Sequence, residues 1–107
     1  MKQTAEELIR EMTDRIVNAM HPIKVILFGS YARGEAGKDS DVDLLVVMPA
    51  IRNKREDAIA VRRILADLPV GKDIILTTPE ELERRGAVIG SVLHPALREG
   101  KILYERA

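Results

Sequence analysis

The spacing of apolar residues near the start of the chain predicts an amphipathic helix. Apolar side chains recur at four-residue steps, which places them on one face of a helix of about four turns. These side chains are Leu8, Met12, Ile16 and Met20. Thr4 and Glu7 precede them in a capping-box pattern, and His21-Pro22 predicts the end of the helix.

Short apolar runs in the rest of the chain predict strands. The runs cover residues 23–28, 41–48 and 73–76, each bounded by proline, glycine or charged residues. The run at 41–48 is continuously apolar after its first residues, which predicts a strand covered on both faces. Residues 101–104 can add a final strand.

Helical spacing returns between these runs. Residues 52–68 carry apolar positions at helical spacing opposite a charged face. Segment 78–81, Thr-Pro-Glu-Glu, predicts another helix start, and a last helical stretch covers 88–98 with Pro95 inside it. With a short helix at 31–33, the order α-β-α-β-α-β-α-β predicts an α/β (α+β) fold with one sheet and helices packed on it.

Composition restricts the class of protein. The length of 107 residues predicts one domain, residues 1–107. The 17 Lys and Arg residues balance 17 Asp and Glu residues, so no net field attracts nucleic acid or a membrane. The absence of cysteine excludes disulfides and thiolate metal sites. A polar N-terminus and the lack of an apolar run of about 20 residues predict a cytoplasmic protein.

Asp41 and Asp43 stand at the start of the second predicted strand. Residues two apart in a strand point the same way, with Cα atoms about 7 Å apart, so the carboxylates share a face. Such charges repel by about 4 kcal/mol at 4 Å and intermediate dielectric, and a divalent cation removes that cost. Oxygen ligands favour Mg²⁺ over zinc. Asp73 starts the next strand and would join the pair if the two strands are adjacent.

Gly29 and Ser30 directly follow the first predicted strand. Glycine lets the backbone approach a bound phosphate, and Ser30 offers a hydroxyl and an N–H at a helix start, which suits an anion. Arg33 lies one turn further on. It either neutralises a phosphate or pairs with Glu35 at the surface, and the sequence favours neither.

Three other interpretations of this stretch compete with a Mg²⁺ site at Asp41 and Asp43. Asp-x-Asp alone more often caps backbone N–H groups at the edge of a loop. An EF-hand is excluded because Leu44 occupies its glycine position, and a P-loop is excluded because Glu35-Ala36 replaces its Lys-Ser/Thr pair. The Gly-Ser pair upstream and the third aspartate downstream favour the metal site over simple capping.

Residues 29–34 and 40–44 together resemble the signature of the DNA polymerase β-like nucleotidyltransferase superfamily, and within it the small prokaryotic minimal nucleotidyltransferases. Residues 72–82 resemble the family's third-carboxylate region, and residues 98–105 resemble its C-terminal end. The resemblance covers nearly the whole chain. It implies a polymerase β-like fold with a mixed β-sheet of about 3–5 strands flanked by helices.

The resemblance also implies a reaction. Asp41, Asp43 and Asp73 would bind two Mg²⁺ ions, and Asp73 would help to remove the proton of the attacking hydroxyl. Gly29 and Ser30 would hold the phosphates of the nucleotide triphosphate. A nucleoside monophosphate, most often AMP from ATP, would pass to a hydroxyl acceptor with release of pyrophosphate.

Members of this group often pair with a helical HEPN-domain toxin, in some cases by adenylylating a tyrosine of that toxin. The resemblance therefore implies an antitoxin with a HEPN partner. The chain ends soon after Tyr104 without an appended acceptor domain, which favours a protein acceptor. The alternative is a non-catalytic antitoxin that neutralises its partner by complex formation. The acceptor, the preferred base and a possible homo-oligomer stay open.

Overall fold

The computed structural model describes residues 3–85 and 98–106. Within these ranges helices and strands alternate along the chain, in the order that the hydrophobic pattern predicts. The elements are α1 (Ala5–Met20), β1 (Lys24–Phe28), α2 (Ser30–Arg33), β2 (Val42–Val47), α3 (Lys54–Leu65), β3 (Lys72–Thr77), α4 (Pro79–Arg85) and β4 (Lys101–Glu105).

Both ends of α1 follow from local sequence. The Thr4 hydroxyl accepts a hydrogen bond from the Glu7 backbone N–H at 3.1 Å, and the Glu7 carboxylate accepts one from the Thr4 N–H at 3.0 Å. This reciprocal pair is the predicted capping box, and it satisfies two N–H groups that the helix leaves free. At the other end His21 adopts a left-handed conformation with φ 51°, and Pro22 follows it. The predicted first helix is confirmed.

The four strands form one mixed sheet in the order β3-β2-β1-β4. Strand β1 runs antiparallel to both β2 and β4, whereas β2 and β3 run parallel. The helix α3 connects the parallel pair, as a crossover between parallel strands requires. The predicted sheet of helix-flanked strands is confirmed.

Apolar clusters of unequal size cover the two faces of the sheet. In the main core α1 and α3 pack against one face of the sheet. Successive residues of a strand point to opposite faces, so every second strand residue contributes to this core. It comprises Leu8, Ile9, Met12, Ile16, Val25, Leu27, Ala32, Val42, Leu44, Val46, Met48, Val61, Leu65, Leu68, Ile74 and Leu76. The opposite face carries a second cluster of Ile26, Phe28 and Leu45, with Ile75 and Leu82 packed against it. Strand β2 is therefore buried on both faces, as its continuous apolar run predicts.

Some boundaries differ from the predicted ones. The helix predicted at 52–68 starts at Lys54, because the Asn53 side chain accepts a hydrogen bond from the Glu56 N–H at 3.1 Å and caps it there. Strand β2 begins at Val42, so that Asp41 lies just before it. Most of the helical stretch predicted at 88–98, with Pro95, lies outside the described residues.

No helix in the two described ranges is both long and apolar enough to cross a membrane. The cytoplasmic location stays a prediction.

Candidate active site

The parallel pairing of β2 and β3 places Asp43 and Asp73 side by side. Asp43 and Asp73 are register partners across these strands. Neighbouring strands lie about 4.8 Å apart, so the two acidic residues occupy adjacent positions at one end of the sheet. The condition that the sequence left open, adjacency of the two strands, is met.

Gly29 of the Gly-Ser motif lies against the carboxylate of Asp43. Phe28, the last residue of β1, is the register partner of Asp43, and Gly29 follows with φ 74° and ψ −156°. A Cβ built on Gly29 would overlap Oδ2 of Asp43 and lie 3.0 Å from its Cγ. Glycine is required here for two reasons: the backbone conformation disfavours a side chain, and the Asp43 carboxylate occupies the space.

Asp41 lies beside a second glycine. A Cβ built on Gly71 would overlap Oδ1 of Asp41, and the Gly71 carbonyl accepts a hydrogen bond from the Val42 N–H at 2.8 Å. Nothing in the sequence pattern assigned Gly71 to the site, so its contact with Asp41 was missed. One signal was available: Gly71 precedes Asp73 by two residues, as Asp41 precedes Asp43.

Asp43 is repelled by the two other carboxylates of the acidic site, defined as Asp41, Asp43 and Asp73. The pKa of Asp43 is raised, first because partial burial disfavours its charged form, and then because Asp73 and Asp41 repel it. The guanidinium of Arg33 acts in the opposite direction and lowers this pKa. A bound cation would relieve the repulsion among the carboxylates.

The donor chemistry of the acidic site fits magnesium. Its side chains offer only carboxylate oxygens, which are the hard ligands that Mg²⁺ prefers. In residues 3–85 and 98–106, however, no three Asp, Glu, His or Cys side chains are gathered closely enough to form a ready-made metal site. The fold brings Asp41, Asp43 and Asp73 to one end of the sheet. Binding of two Mg²⁺ ions by them stays a prediction.

Ser30 and Arg33 occupy the two ends of α2. Ser30 is the first residue of this four-residue helix and directly follows Gly29. Arg33 makes salt bridges with Glu35 at 3.3 Å and with Glu99 at 3.5 Å, all at exposed side chains. Of the two alternatives for Arg33, the structure shows the surface ion pair, while its charge still reaches Asp43. Its contact with a nucleotide stays a prediction.

A cavity of about 800 Å³ lies on another part of the surface, between α1, the end of α2 and β4. Ile9, Tyr31 and Ile102 contribute to its wall, and the three aspartates are not among the described residues that line it. Tyr31 is partly buried and also packs against the main core.

Comparison with known families identifies matches over most of the chain. A model of the nucleotidyltransferase domain family matches residues 6–102. The chain is 37% identical over 92 residues to a proposed protein adenylyltransferase of Methanocaldococcus jannaschii, covering 78% of the chain and 59% of that relative. A second proposed adenylyltransferase of the same organism is 50% identical over 36 residues, covering 31% of the chain and 36% of the relative. The chain therefore spans little more than half of the first relative and about a third of the second.

Solved structures share the fold. A proposed nucleotidyltransferase from Sulfolobus solfataricus superposes with a TM-score of 0.65 at 22% identity, covering 92% of the chain and 78% of that protein. A chain from a toxin–antitoxin structure with AMP-PNP superposes with a TM-score of 0.55 at 19% identity, covering 91% and 73%. At these identities the likeness concerns the fold, and it confirms the predicted fold class.

Proposed function

Because the chain belongs to the nucleotidyltransferase domain family, we propose that it transfers a nucleoside monophosphate from a nucleoside triphosphate to a hydroxyl group of a partner protein. The observation that carries the proposal is the pairing of Asp43 with Asp73, beside Gly29, at one end of the sheet. The proposal treats residues 1–107 as one nucleotidyltransferase domain.

Each element of the site has a proposed role in the reaction. Gly29 and Ser30, where β1 passes into α2, would bind the triphosphate, because a glycine backbone and a hydroxyl allow close contact with phosphate oxygens. The three aspartates would hold two Mg²⁺ ions. When bound, magnesium supplies positive charge that stabilises the phosphates and lowers the pKa of the acceptor hydroxyl.

The proposed reaction is a displacement at the α-phosphorus of ATP. The acceptor oxygen forms a bond to the α-phosphorus of ATP as the bond from that phosphorus to the bridging oxygen breaks, and pyrophosphate leaves. Asp73 is exposed at the start of β3 and would take the proton of the acceptor hydroxyl. AMP is the proposed group, supported by the relative described as a protein adenylyltransferase and the structural neighbour with AMP-PNP.

The proposed acceptor is a tyrosine of a HEPN-domain toxin, for which the chain would act as antitoxin. The toxin–antitoxin neighbour supports a toxin as partner. The HEPN identity and the tyrosine rest on the family resemblance of the motif residues.

The test measures ATP binding and AMP transfer separately. Calorimetric titration of ATP should show magnesium-dependent binding by the wild type that is lost in Asp41→Asn/Asp43→Asn. Radiolabelled AMP from α-labelled ATP should appear on the HEPN partner with the wild type and not with Asp41→Asn/Asp43→Asn. Asp14→Asn/Asp57→Asn is the matched control, because it removes two charges from α1 and α3 instead. Unchanged transfer by the Asp41/Asp43 variant would refute the proposal.

A second candidate is a non-catalytic antitoxin that blocks its partner by binding alone. One observation favours it: the three carboxylates do not form a ready-made metal cluster in the described part of the chain. On this alternative Asp41→Asn/Asp43→Asn would protect cells from the toxin as well as the wild type does. Lost protection at unchanged affinity for the toxin would exclude it.

A further inference from the structure

Gly71 lies across from Asp41, immediately before β3. Its carbonyl accepts the Val42 N–H at 2.8 Å, which extends the parallel pairing of β2 and β3 by one step. The turn before it is held as well, because the Lys72 ammonium donates to the carbonyls of Leu68 and Val70 at 3.0 and 2.8 Å. The Gly71 carbonyl is thus tied to β2, and hydrogen bonds also hold the turn that precedes Gly71.

The reason for a glycine at position 71 is space, not backbone conformation. Its φ lies outside the left-handed region, so an ordinary residue could adopt it. A Cβ at this position would nevertheless overlap Oδ1 of Asp41 and lie 3.0 Å from its Cγ. Gly37 provides a contrast, because a Cβ there would meet nothing nearer than the Ser40 hydroxyl at 4.0 Å.

A methyl group at position 71 would therefore move the Asp41 carboxylate. The overlapping atom is the far end of a side chain that can rotate, whereas the Gly71 carbonyl is held by its hydrogen bond from the Val42 N–H. Rotation would keep the fold and change the position of one carboxylate relative to Asp43.

We propose that Gly71 is a positioning residue: the absence of a side chain holds the Asp41 carboxylate where it can share a cation with Asp43. This inference rests on the proposed function, because it assigns Gly71 to the metal site of that reaction. It concerns metal affinity and does not make Gly71 a catalytic residue.

The first test measures binding of Mn²⁺ alone, with free Mn²⁺ quantified by its paramagnetic resonance signal. Gly71→Ala should weaken binding by about 10-fold or more, the size of effect typical for residues that orient metal ligands. Gly37→Ala, the matched control, should bind as the wild type does. In an Asp41→Ala background, Gly71→Ala should cause no further loss. Wild-type affinity in Gly71→Ala would overturn the proposal.

Thermal unfolding without metal of the wild type, Gly71→Ala, Asp41→Ala and the Asp41→Ala/Gly71→Ala double variant separates this inference from the proposed function. Gly71→Ala should change the unfolding midpoint less favourably in the wild-type background than in Asp41→Ala, where the space is free. An equal change in both backgrounds would overturn the positioning role. If the wild type binds no Mn²⁺ while the midpoints differ between the two backgrounds, the contact of position 71 with Asp41 is supported. The metal-positioning role and the metal site of the proposed function are then both refuted.

Discussion

Removing the charge of Asp43 should stabilise the metal-free protein. Asp43 is partly buried, is the register partner of Asp73, and lies near Asp41, and each of these features raises its pKa. Asparagine has nearly the same shape and no charge. Asp43→Asn should therefore increase the free energy of unfolding at neutral pH while abolishing the proposed transfer.

The magnitude follows from the spacing of the strands. Two unit charges about 4.8 Å apart repel by about 0.9 kcal/mol in water and about 3.5 kcal/mol at an effective dielectric constant of 20. Asp73 is exposed and Asp43 is only partly buried, so screening places the effect near the lower value, about 1 kcal/mol. For a protein of this size that corresponds to a rise in Tm of about 4 °C.

The pH dependence gives the sharper check. Because the folded-state pKa of Asp43 is raised, its favourable contribution is full below the unfolded pKa of about 3.9 and is lost as pH rises through the folded value. The advantage of Asp43→Asn should therefore be largest at pH 7 and shrink toward zero as the pH falls to about 4 and below.

The assay is thermal unfolding at low salt with a chelator, across this pH range. Asp39→Asn is the control, since it removes one charge from an exposed loop position close to the strand. If Asp43→Asn is no more stable than the wild type at pH 7, or keeps its full advantage at pH 4, the repulsion at this site has been misjudged.

Two further predictions concern the scaffold. Leu65→Ala should lower the free energy of unfolding by about 2–5 kcal/mol in denaturant titration, because Leu65 is fully buried in the main core. Ile59→Ala, at a 40% exposed position on the same helix α3, should lower it much less. Equal losses in the two variants would contradict this packing. Asp67→Asn should lower Tm at pH 7, because Asp67 accepts a 2.6 Å hydrogen bond from Arg15 that lowers its pKa. That stabilisation is present above the unfolded pKa and lost as pH falls through the lowered folded value, so a variant effect that persists in strong acid would count against it.

Most elements of the fold could be predicted because their signals are local. The capping box at Thr4, the four-residue apolar period of α1 and the proline and glycine breaks act within a few residues. The apolar run of β2 likewise predicted burial on both faces. Helix ends were less accurate where a side-chain cap, as at Asn53, decides between neighbouring positions.

The candidate site was predicted in its residue types and only conditionally in its arrangement. The sequence indicated Asp41 and Asp43 from their spacing and proposed Asp73 if its strand lay next to theirs. The register of β2 and β3 supplied that adjacency. Arg33 shows the limit of such reasoning, because its ion pair with Glu99 joins residues 66 positions apart.

Periodicity, caps and residue type are properties of short segments. The helices and strands of this protein and the chemistry of its acidic residues could therefore be predicted from local sequence. The folded structure was needed to establish the strand order, the mixture of parallel and antiparallel pairs, and the closeness of Gly29 to Asp43 and of Gly71 to Asp41. These depend on contacts between distant segments, and a glycine shows in sequence that a side chain is absent but not which neighbour occupies the space.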